Sequence, residues 1–267
     1  MLYFGSFVGA VSSGDVFNVH HSWVPSLNVD FSFLLDGLSL VFSLLITGVG
    51  ALVFAYANSY LPNDDKKPRF YLFMLIFMSS MLGLVLSENL LTMFVFWELT
   101  SISSYMLIGY YHEKDVARKS ALQALLITAG GGLALLAGII LIGQVSGTYG
   151  FNELLNNSDI IRSSSLYMPI LILVLIGAFT KSAQFPFHFW LPGAMEAPAP
   201  VSAYLHSATM VTAGIFLLAR LNPFLGGTDE WHYIVTTIGA ITMLIGAIVS
   251  LYQSDLKRML AYSTVST

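Results

Sequence analysis

The sequence predicts an all-α protein, a polytopic bundle of transmembrane helices. Hydrophobic residues make up 56% of the 267-residue chain and charged residues 10%, which is too few to cover the surface of a soluble domain of this size. Apolar stretches of about 20 residues, the length that crosses a hydrocarbon core, recur along the chain. The cations lie mainly in alternate connections between these stretches, as expected for a membrane protein with a fixed orientation.

About seven complete spans fit this length, and an eighth begins after Asp255. They are expected at 34–59, 69–87, 90–111, 117–145, 167–187, 199–221 and 232–253. Asp36 is a candidate N-cap of the first span, and residues 88–89 form a tight turn between the second and the third. The connections 12–33 and 146–166 are polar and rich in Ser, Asn and Gly, so we expect surface loops there.

The first 33 residues are expected to lie outside the main bundle. Residues 2–11 are apolar but too short to span a membrane, and no basic segment precedes them as in a signal peptide. We interpret them as the remnant of a helix truncated upstream, followed by an external loop. Residues 34–267 would then form one transmembrane domain.

The distribution of Lys and Arg predicts the orientation. Three connections on one side of the predicted topology carry eight of the eleven cations: Lys66, Lys67, Arg69, Lys114, Arg118, Lys119, Lys257 and Arg258. The opposite side carries Arg162 and Arg220, and Lys181 lies within a span. The positive-inside rule therefore places the loops 60–68, 112–117 and 254–258 in the cytoplasm, with the chain in the cell membrane.

Lys181 is the most informative residue of the chain, because it lies inside the apolar stretch 166–187. An ammonium group is costly at the centre of a bilayer, so a lysine there is expected to be functional. Pro186 removes a backbone N–H and crowds the carbonyl of Ser182, which predicts a helix broken between Lys181 and Trp190. A titratable group beside freed backbone carbonyls is typical of an ion path.

Glu98 lies near the middle of the predicted third span. It is either an acidic partner of Lys181 or a buried carboxyl with a structural role, and neither span alone shows that the two side chains touch. Burial favours the neutral forms of both groups, whereas proximity favours the charged forms. A Glu/Lys pair in hydrocarbon can therefore change its protonation when its spacing or hydration changes, as a proton path requires.

His206 lies in the predicted sixth span. Its imidazole titrates near neutrality, so it is a candidate relay beyond Lys181, although a histidine in a membrane often serves only as an interhelical hydrogen-bond donor. Ser202, His206 and Thr209 are spaced i, i+4 and i+7, which predicts one polar, water-lined face of a helix.

Further polar residues are weaker candidates for the same path. They are Thr180, Ser182, Gln184, His188, Glu196, Ser202, Thr209, Thr212, Asp255 and Lys257. Of these, His188 is a candidate for the cytoplasmic mouth, and Glu196 is either an ion-access residue or part of a proline-rich turn. The chain has no cysteine and no phosphate-binding, hydrolase or zinc motif, so we expect no cofactor and no metal site. The glycines at 130–132 are expected to allow close helix packing.

Several strings of the sequence are specific when taken together. They are Phe96-Trp-Glu-Leu-Thr-Ser101, the string from Gly177 to Pro186, Trp190-Leu-Pro192, the string from Pro198 to Met210, and the string from Asp255 to Thr264. They resemble the antiporter-like subunit family shared by Mrp-type sodium/proton antiporters and respiratory complex I. The segments around Glu98, Lys181 and His206 are most similar to the A-type subunit of Mrp antiporters, with the L-type subunit of complex I a close second. Thr212 departs from the Mrp A-type subunit, which usually has lysine there, and agrees with the L-type subunit.

The resemblance implies a fold of two inverted five-helix repeats, each with a broken helix that carries a lysine. The first repeat would cover about 69–221, and the second would begin at about 232. The chain is therefore expected to be a fragment that carries one half of this fold. In this family Glu98 would be the acidic partner of Lys181, and His206 would be the relay.

The implied function is that of a proton- and monovalent-cation-translocating subunit of a multisubunit sodium/proton antiporter, which is a transporter and not an enzyme. Its partners would be other membrane subunits, protons, sodium or another monovalent cation, and the lipid bilayer, with no nucleic acid. The alternative is the proton-pumping, L-type module of complex I or of a membrane-bound hydrogenase, with no redox cofactor in this chain. A purely scaffolding membrane subunit is a third interpretation of the same pattern.

Overall fold

The computed structural model describes residues 1–24, 29–61 and 66–267 of the chain. Two short helices, α1 (Leu2–Gly5) and α2 (Val8–Ser12), precede an antiparallel hairpin of β1 (Phe17–Val24) and β2 (Val29–Leu35). The all-α prediction is therefore wrong for this segment, and most of the predicted loop 12–33 is paired strand. Its polar residues alternate in part with Phe, Val and Trp, which favour extended backbone. Residues 25–28 of that loop lie outside the described residues.

Four long helices follow the hairpin: α3 (Gly37–Tyr60), α4 (Lys67–Leu86), α5 (Leu90–Ile108) and α6 (Asp115–Ser146). Asp36 caps α3 as predicted, because its Oδ1 accepts a hydrogen bond from the Ser39 amide at 2.9 Å. Asn89 caps α5 in the same way, accepting from the Leu91 amide at 2.8 Å. The turn between α4 and α5 thus lies where the sequence predicts it. Residues 62–65 of the predicted loop 60–68 lie outside the described residues.

The second half of the chain contains interrupted helices. The helices α7 (Phe151–Asn156) and α8 (Ser158–Ser163) form the connection after α6. Next come α9 (Tyr167–Lys181), a 3₁₀ turn (Phe187–Phe189) and α10 (Trp190–Ala194), so the predicted break between Lys181 and Trp190 is present. They are followed by α11 (Ala199–Ala203), a π-helical segment (Tyr204–Thr209), α12 (Thr212–Leu225), α13 (Asp229–Leu251) and α14 (Leu256–Ser266).

These interruptions change the count of spans. Among the described residues, five helices are each long and apolar enough to cross a membrane: α3, α4, α5, α6 and α13. The predicted fifth span contains a helix of only 15 residues, because α9 ends at Lys181. The predicted sixth span is assembled from three pieces, since a π-helical segment separates α11 from α12. A count of seven complete spans is therefore not confirmed.

The helix α6 packs between α5 and α9 and brings these two helices together. Two glycines make this close approach possible: a Cβ on Gly131 would overlap the hydroxyl of Thr180, and one on Gly132 would overlap Oε1 of Glu98. A Cβ on Gly130 would meet no atom within 4 Å. The predicted close packing is thus confirmed for two of the three glycines.

Side-chain contacts near the helix ends show which connections between helices lie at the same end of the bundle. Lys66 and Glu113 form an ion pair that joins the first two basic connections. At the other end, the guanidinium of Arg162 donates to the Pro223 carbonyl at 2.8 Å, and Arg220 forms an ion pair with Asp36 at 2.6 Å. Each contact joins connections that the predicted topology places on the same side.

Candidate functional site

Lys181 is the last residue of α9 and is fully buried. Its ammonium donates to the backbone carbonyl of Trp97 at 3.0 Å and to the hydroxyl of Ser101 at 2.7 Å. It also lies 5.1 Å from the centroid of the Trp97 ring, where the π electrons attract a cation. All three contacts are with α5, so the lysine reaches from one helix to another. They replace part of the hydration that burial removes.

The helix α9 ends at Lys181 because the chain turns into a C-terminal capping motif. Ala183 has a left-handed backbone with φ of 51°. The amide of Gln184 donates to the Phe179 carbonyl at 2.9 Å, and the Ala183 amide donates to the Thr180 carbonyl at 3.4 Å. This pair of bonds is the Schellman pattern, which usually has glycine at the left-handed position. The cap therefore ends the helix before Pro186 is reached.

The carbonyls of Thr180 and Ser182, which the broken helix was predicted to free beside Lys181, each accept a hydrogen bond. The Thr180 carbonyl also accepts the indole N–H of Trp190 at 3.0 Å, so Trp190 closes the break from its far side. The carbonyl that Lys181 contacts belongs to Trp97, on a different helix. The break therefore lies where it was predicted, and the backbone oxygen that accepts from the ammonium comes from α5, which the sequence did not indicate.

Glu98 follows Trp97 on α5, but its side chain lies against α6. Its Oε1 packs against Gly132 of α6 and, within the described part of the chain, has no hydrogen-bond partner although it is buried. Lys181 bonds to Trp97 and Ser101 instead of Glu98. The structure thus brings the ammonium of Lys181 to Trp97, the neighbour of Glu98 on α5, without joining the two predicted partners in a hydrogen bond. A buried oxygen that lacks a partner is unusual in native proteins.

His206 lies in the π-helical segment and is 1% exposed. In the described structure, neither of its ring nitrogens has a hydrogen-bond partner. Its ring centroid lies 6.1 Å from that of Trp190, at an interplanar angle of 62°. His206 lines a cavity of about 280 Å³ together with Ser202 and Lys257. A π-helical turn and an unpartnered buried imidazole are both features that recur at functional sites.

The predicted polar face of the sixth span holds only in part. Ser202 and His206 line one cavity, as expected. The hydroxyl of Thr209 instead donates to the Tyr204 carbonyl, five residues back, at 2.6 Å. The π-helical segment has a wider turn than an α-helix, so the i, i+4, i+7 spacing does not describe one face here. Thr212 donates to the Thr209 carbonyl at 2.8 Å.

Lys257 is a secondary candidate that lines the same cavity as His206. Its ammonium donates to the carbonyls of Ala197 at 2.9 Å and Met195 at 3.2 Å, at the edge of the His206 cavity. Asp255 caps α14 by accepting from the Lys257 amide at 2.8 Å. Glu196 lies 4.0 Å from the guanidinium of Arg258, so it forms a half-exposed ion pair instead of facing the cavity.

The remaining candidates support the break. The Ser182 hydroxyl donates to the Val211 carbonyl at 2.6 Å, which ties the end of α9 to the start of α12. Gln184 donates to the Ser182 carbonyl at 3.2 Å, and the Thr180 hydroxyl donates to the Gly177 carbonyl at 2.9 Å. His188 stacks on the Phe185 ring, with ring centroids 5.9 Å apart. Among the described residues, no group of three or more His, Asp and Glu is placed to hold a metal ion.

Two known protein families match separate parts of this chain. The family described as "NADH:quinone oxidoreductase/Mrp antiporter, TM" matches residues 87–267. This chain belongs to that family. The family described as "NADH-Ubiquinone oxidoreductase (complex I), chain 5 N-terminus" matches residues 22–71.

Relatives within the antiporter branch are similar over nearly the whole chain. The A-type subunit of the Na(+)/H(+) antiporter of Alkalihalophilus pseudofirmus is 50% identical over 99% of this chain and 33% of its own length. The A/B-type subunit of a probable K(+)/H(+) antiporter of Rhizobium meliloti is 54% identical over 96% of this chain and 26% of its own length. A chain of the Mrp complex structure from Dietzia sp. superposes with a TM-score of 0.90 at 37% identity, over 98% of this chain and 29% of that one. The chain spans a third or less of each of these relatives.

In this member of the NADH:quinone oxidoreductase/Mrp antiporter family, two contacts of the site were missed from the sequence. They are the Trp97 carbonyl and the Ser101 hydroxyl that hold Lys181. Trp97 and Ser101 are four residues apart and thus share one face of α5, a signal present in the sequence. What the sequence does not show is that the side chain of Lys181 reaches this face from α9.

Proposed function

We propose that this chain is the lysine-bearing part of a proton- and monovalent-cation-translocating subunit of a multisubunit sodium/proton antiporter. The observation that carries the proposal is Lys181, a fully buried lysine whose amino group donates two hydrogen bonds to another helix. Relatives named as antiporter subunits, 50% and 54% identical to this chain, support the transported class. The other subunits of such a complex, together with protons and sodium or another monovalent cation, would be its partners.

In this proposal Lys181 takes up and releases a proton between Glu98 and His206. As an ammonium it is held by Trp97 and Ser101, and as a neutral amine it has one proton fewer to donate there. The buried Oε1 of Glu98, which lacks a partner within the described residues, is the nearby acceptor and counter-charge on α5. Because Glu98 accepts no hydrogen bond from Lys181 in this arrangement, the lysine can exchange protons without first breaking such a bond.

His206 is the proposed next member of the path. Trp190 lies between Lys181 and His206. Its indole N–H donates to the Thr180 carbonyl next to Lys181, and its ring lies beside the His206 ring. Water in the cavity of about 280 Å³ would join His206 to Ser202 and Lys257. The apolar walls of that cavity limit the path to a few polar groups.

We further propose the orientation and the repeat that the sequence predicts. The loops 60–68, 112–117 and 254–258 would face the cytoplasm of a cell in whose membrane the complex lies. Residues of about 69–221 would form the first inverted repeat, and the second would begin at about 232. The interrupted helix at Lys181 supports this assignment, because such repeats carry their ion site on a broken helix.

The first test changes the charge chemistry of the lysine within the full-length protein and its assembled complex. Lys181→Ala is expected to abolish sodium-driven proton flux in vesicles. Lys181→Arg is expected to fail as well, because a guanidinium keeps its proton while a relay must release it. Lys119→Ala, at an exposed position on α6, is the matched control and should retain flux. Normal flux in Lys181→Arg, with equal assembly, would show that Lys181 is a fixed charge and would overturn the relay.

The alternative function is a proton-pumping module of a complex I-type enzyme or a membrane-bound hydrogenase. The match of residues 22–71 to the complex I chain 5 family and the threonine at position 212 favour it. The purified complex distinguishes the two. Flux driven by a sodium gradient without any electron donor supports the antiporter, whereas flux that requires a reduced donor and an acceptor supports the redox-driven module.

A further inference from the structure

Thr242 is an exception on its own helix. The helix α13 is mostly exposed in the structure: Leu251 is 84% exposed and Met243 is 51% exposed, whereas Thr242 is 1% exposed. A buried hydroxyl in such an apolar helix needs a partner, because an unpaired polar group is costly away from water. Nothing in the sequence pattern distinguishes this threonine from the others of its span.

The partner of Thr242 is the backbone of the broken helix. The Phe185 amide donates to the Thr242 hydroxyl oxygen at 3.0 Å, and the Thr242 hydroxyl donates to the Ile238 carbonyl of its own helix at 2.7 Å. The amide of Phe185 lies past the end of α9, where helical hydrogen bonding has stopped, and the next residue, Pro186, has no N–H to offer. Inside a membrane such an amide requires a protein partner.

This contact completes the attachment of the segment after Lys181. Ser182 is bonded to α12 through the Val211 carbonyl at 2.6 Å, and Phe185 is bonded to α13 through Thr242. The residues between them are held by the capping bond from Gln184 to the Phe179 carbonyl at 2.9 Å. The lysine-bearing end of α9 is thus tied to α13, a helix outside the proposed first repeat.

We propose that Thr242 is a positioning residue for Lys181, acting through the backbone of Phe185. It sets the height and rotation of the end of α9, and thereby the reach of the ammonium to Trp97 and Ser101. Movement of α13 would then change how Lys181 is held, which makes this hydrogen bond a coupling between the lysine site and the helix that follows the first repeat. This inference rests on the proposed function of Lys181.

The test compares three substitutions in the full-length protein within its assembled complex. Thr242→Val keeps the shape and removes the hydroxyl, Thr242→Ser keeps the hydroxyl, and Thr237→Val makes the same change at an exposed position of α13. Sodium-driven proton flux per assembled complex is measured across a range of pH. Hydrogen exchange of the peptide that contains Phe185 is measured on the same samples.

We expect Thr242→Val to lower flux roughly tenfold and to move the pH of half-maximal flux, since a small displacement of a reacting group has effects of this size. Amide exchange at Phe185 should rise at least about tenfold, because the N–H loses its buried partner. Thr242→Ser should restore both quantities, and Thr237→Val should change neither. If Thr242→Val does not assemble, Thr242→Ala provides the same comparison.

Each of the following results would overturn the inference. Unchanged amide exchange at Phe185 in Thr242→Val would show that the Thr242 hydroxyl does not protect this amide. Faster exchange with an unchanged pH profile of flux would show that the hydrogen bond is structural and does not position Lys181. Failure of Thr242→Ser to restore flux would exclude the hydroxyl as the cause. Lys181→Ala, measured in parallel, separates this inference from the proposed function. Normal flux in Lys181→Ala would contradict the relay itself. Lost flux in Lys181→Ala together with normal flux in Thr242→Val would contradict only the positioning role of Thr242.

Discussion

The side chain of Lys181 donates its two hydrogen bonds to α5, although the residue belongs to α9. A lysine without such acceptors would be too costly to keep charged inside a membrane, and one locked in an ion pair would release its proton with difficulty. A carbonyl and a hydroxyl stabilise the ammonium without adding a negative charge. Burial and hydrogen bonding together are therefore what would suit this residue to the proposed relay.

A second residue-scale feature is Ala183, which has the left-handed conformation of the helix cap and is fully buried. Ala183→Gly should relieve about 1 kcal/mol of backbone strain and lose about 0.8 kcal/mol of methyl burial, so the thermal midpoint of the complex should hardly change. Ala178→Gly deletes an equally buried methyl within α9, where glycine costs about 1 kcal/mol more, and should lower the midpoint clearly. Equal losses in the two variants would contradict the role assigned to the cap.

At the scale of elements, α6 decides how closely the site is assembled. Its glycines let α5 and α9 approach from two directions, one at Glu98 and the other at Thr180. Larger residues there would hold the carboxyl and the lysine-bearing helix apart. Small residues have this role in membrane interiors because close backbone approach replaces the hydrophobic driving force that is absent between lipid-bathed helices.

Alanine substitutions along α6 test this arrangement position by position. Gly131→Ala should destabilise the complex by about 1–3 kcal/mol, because the new methyl meets Thr180, which has little room to move. Gly132→Ala should leave assembly intact and lower flux, since the flexible side chain of Glu98 must turn away. Gly130→Ala is the matched control and should be tolerated, because that position is open. Equal effects at all three positions, measured by thermal unfolding and flux, would mean that helix propensity and not contact decides.

At the scale of the whole molecule, an ion pair between two residues that are far apart in the sequence joins α12 to the start of α3. Arg220 of α12 bonds to Asp36 at 2.6 Å and to the Ser39 hydroxyl at 2.7 Å, which joins it to the start of α3. Burial alone would raise the pKa of the Asp36 carboxyl, but the hydrogen bonds from Arg220 and Ser39 and the charge of Arg220 hold it below its usual range. The ion pair therefore persists at neutral pH, and its stabilising contribution is lost only as acid protonates the carboxylate.

The orientation of the molecule is testable with single cysteines, because this segment has none of its own. In a full-length protein free of other cysteines, Lys119→Cys should react with a membrane-impermeant maleimide from the cytoplasmic side only. Asp159→Cys should react from the outside only, since α6 separates the two positions. Leu133→Cys, in the middle of α6, should react from neither side. Labelling of Lys119→Cys from outside would reverse the proposed topology.

The sequence by itself determined that the chain is a helical membrane protein with a lysine at the break in one of its spans. Hydropathy, charge placement and helix caps are local quantities, and they suffice for α3 to α6, for the caps at Asp36 and Asn89, and for the break after Lys181. The strings around Glu98, Lys181 and His206 were likewise enough to indicate the family.

Only the tertiary structure decided which atoms meet. Lys181 and Trp97 are 84 residues apart, and Phe185 and Thr242 are 57 residues apart, so neither contact can be inferred from local sequence. Periodicity assumes an ideal helix, so it misplaced Thr209. The sequence left open whether Glu98 meets Lys181, and the structure shows that the Trp97 carbonyl and the Ser101 hydroxyl accept the hydrogen bonds of the lysine. Contacts of this kind depend on how helices pack, and the free energy of packing is not a sum over local sequence.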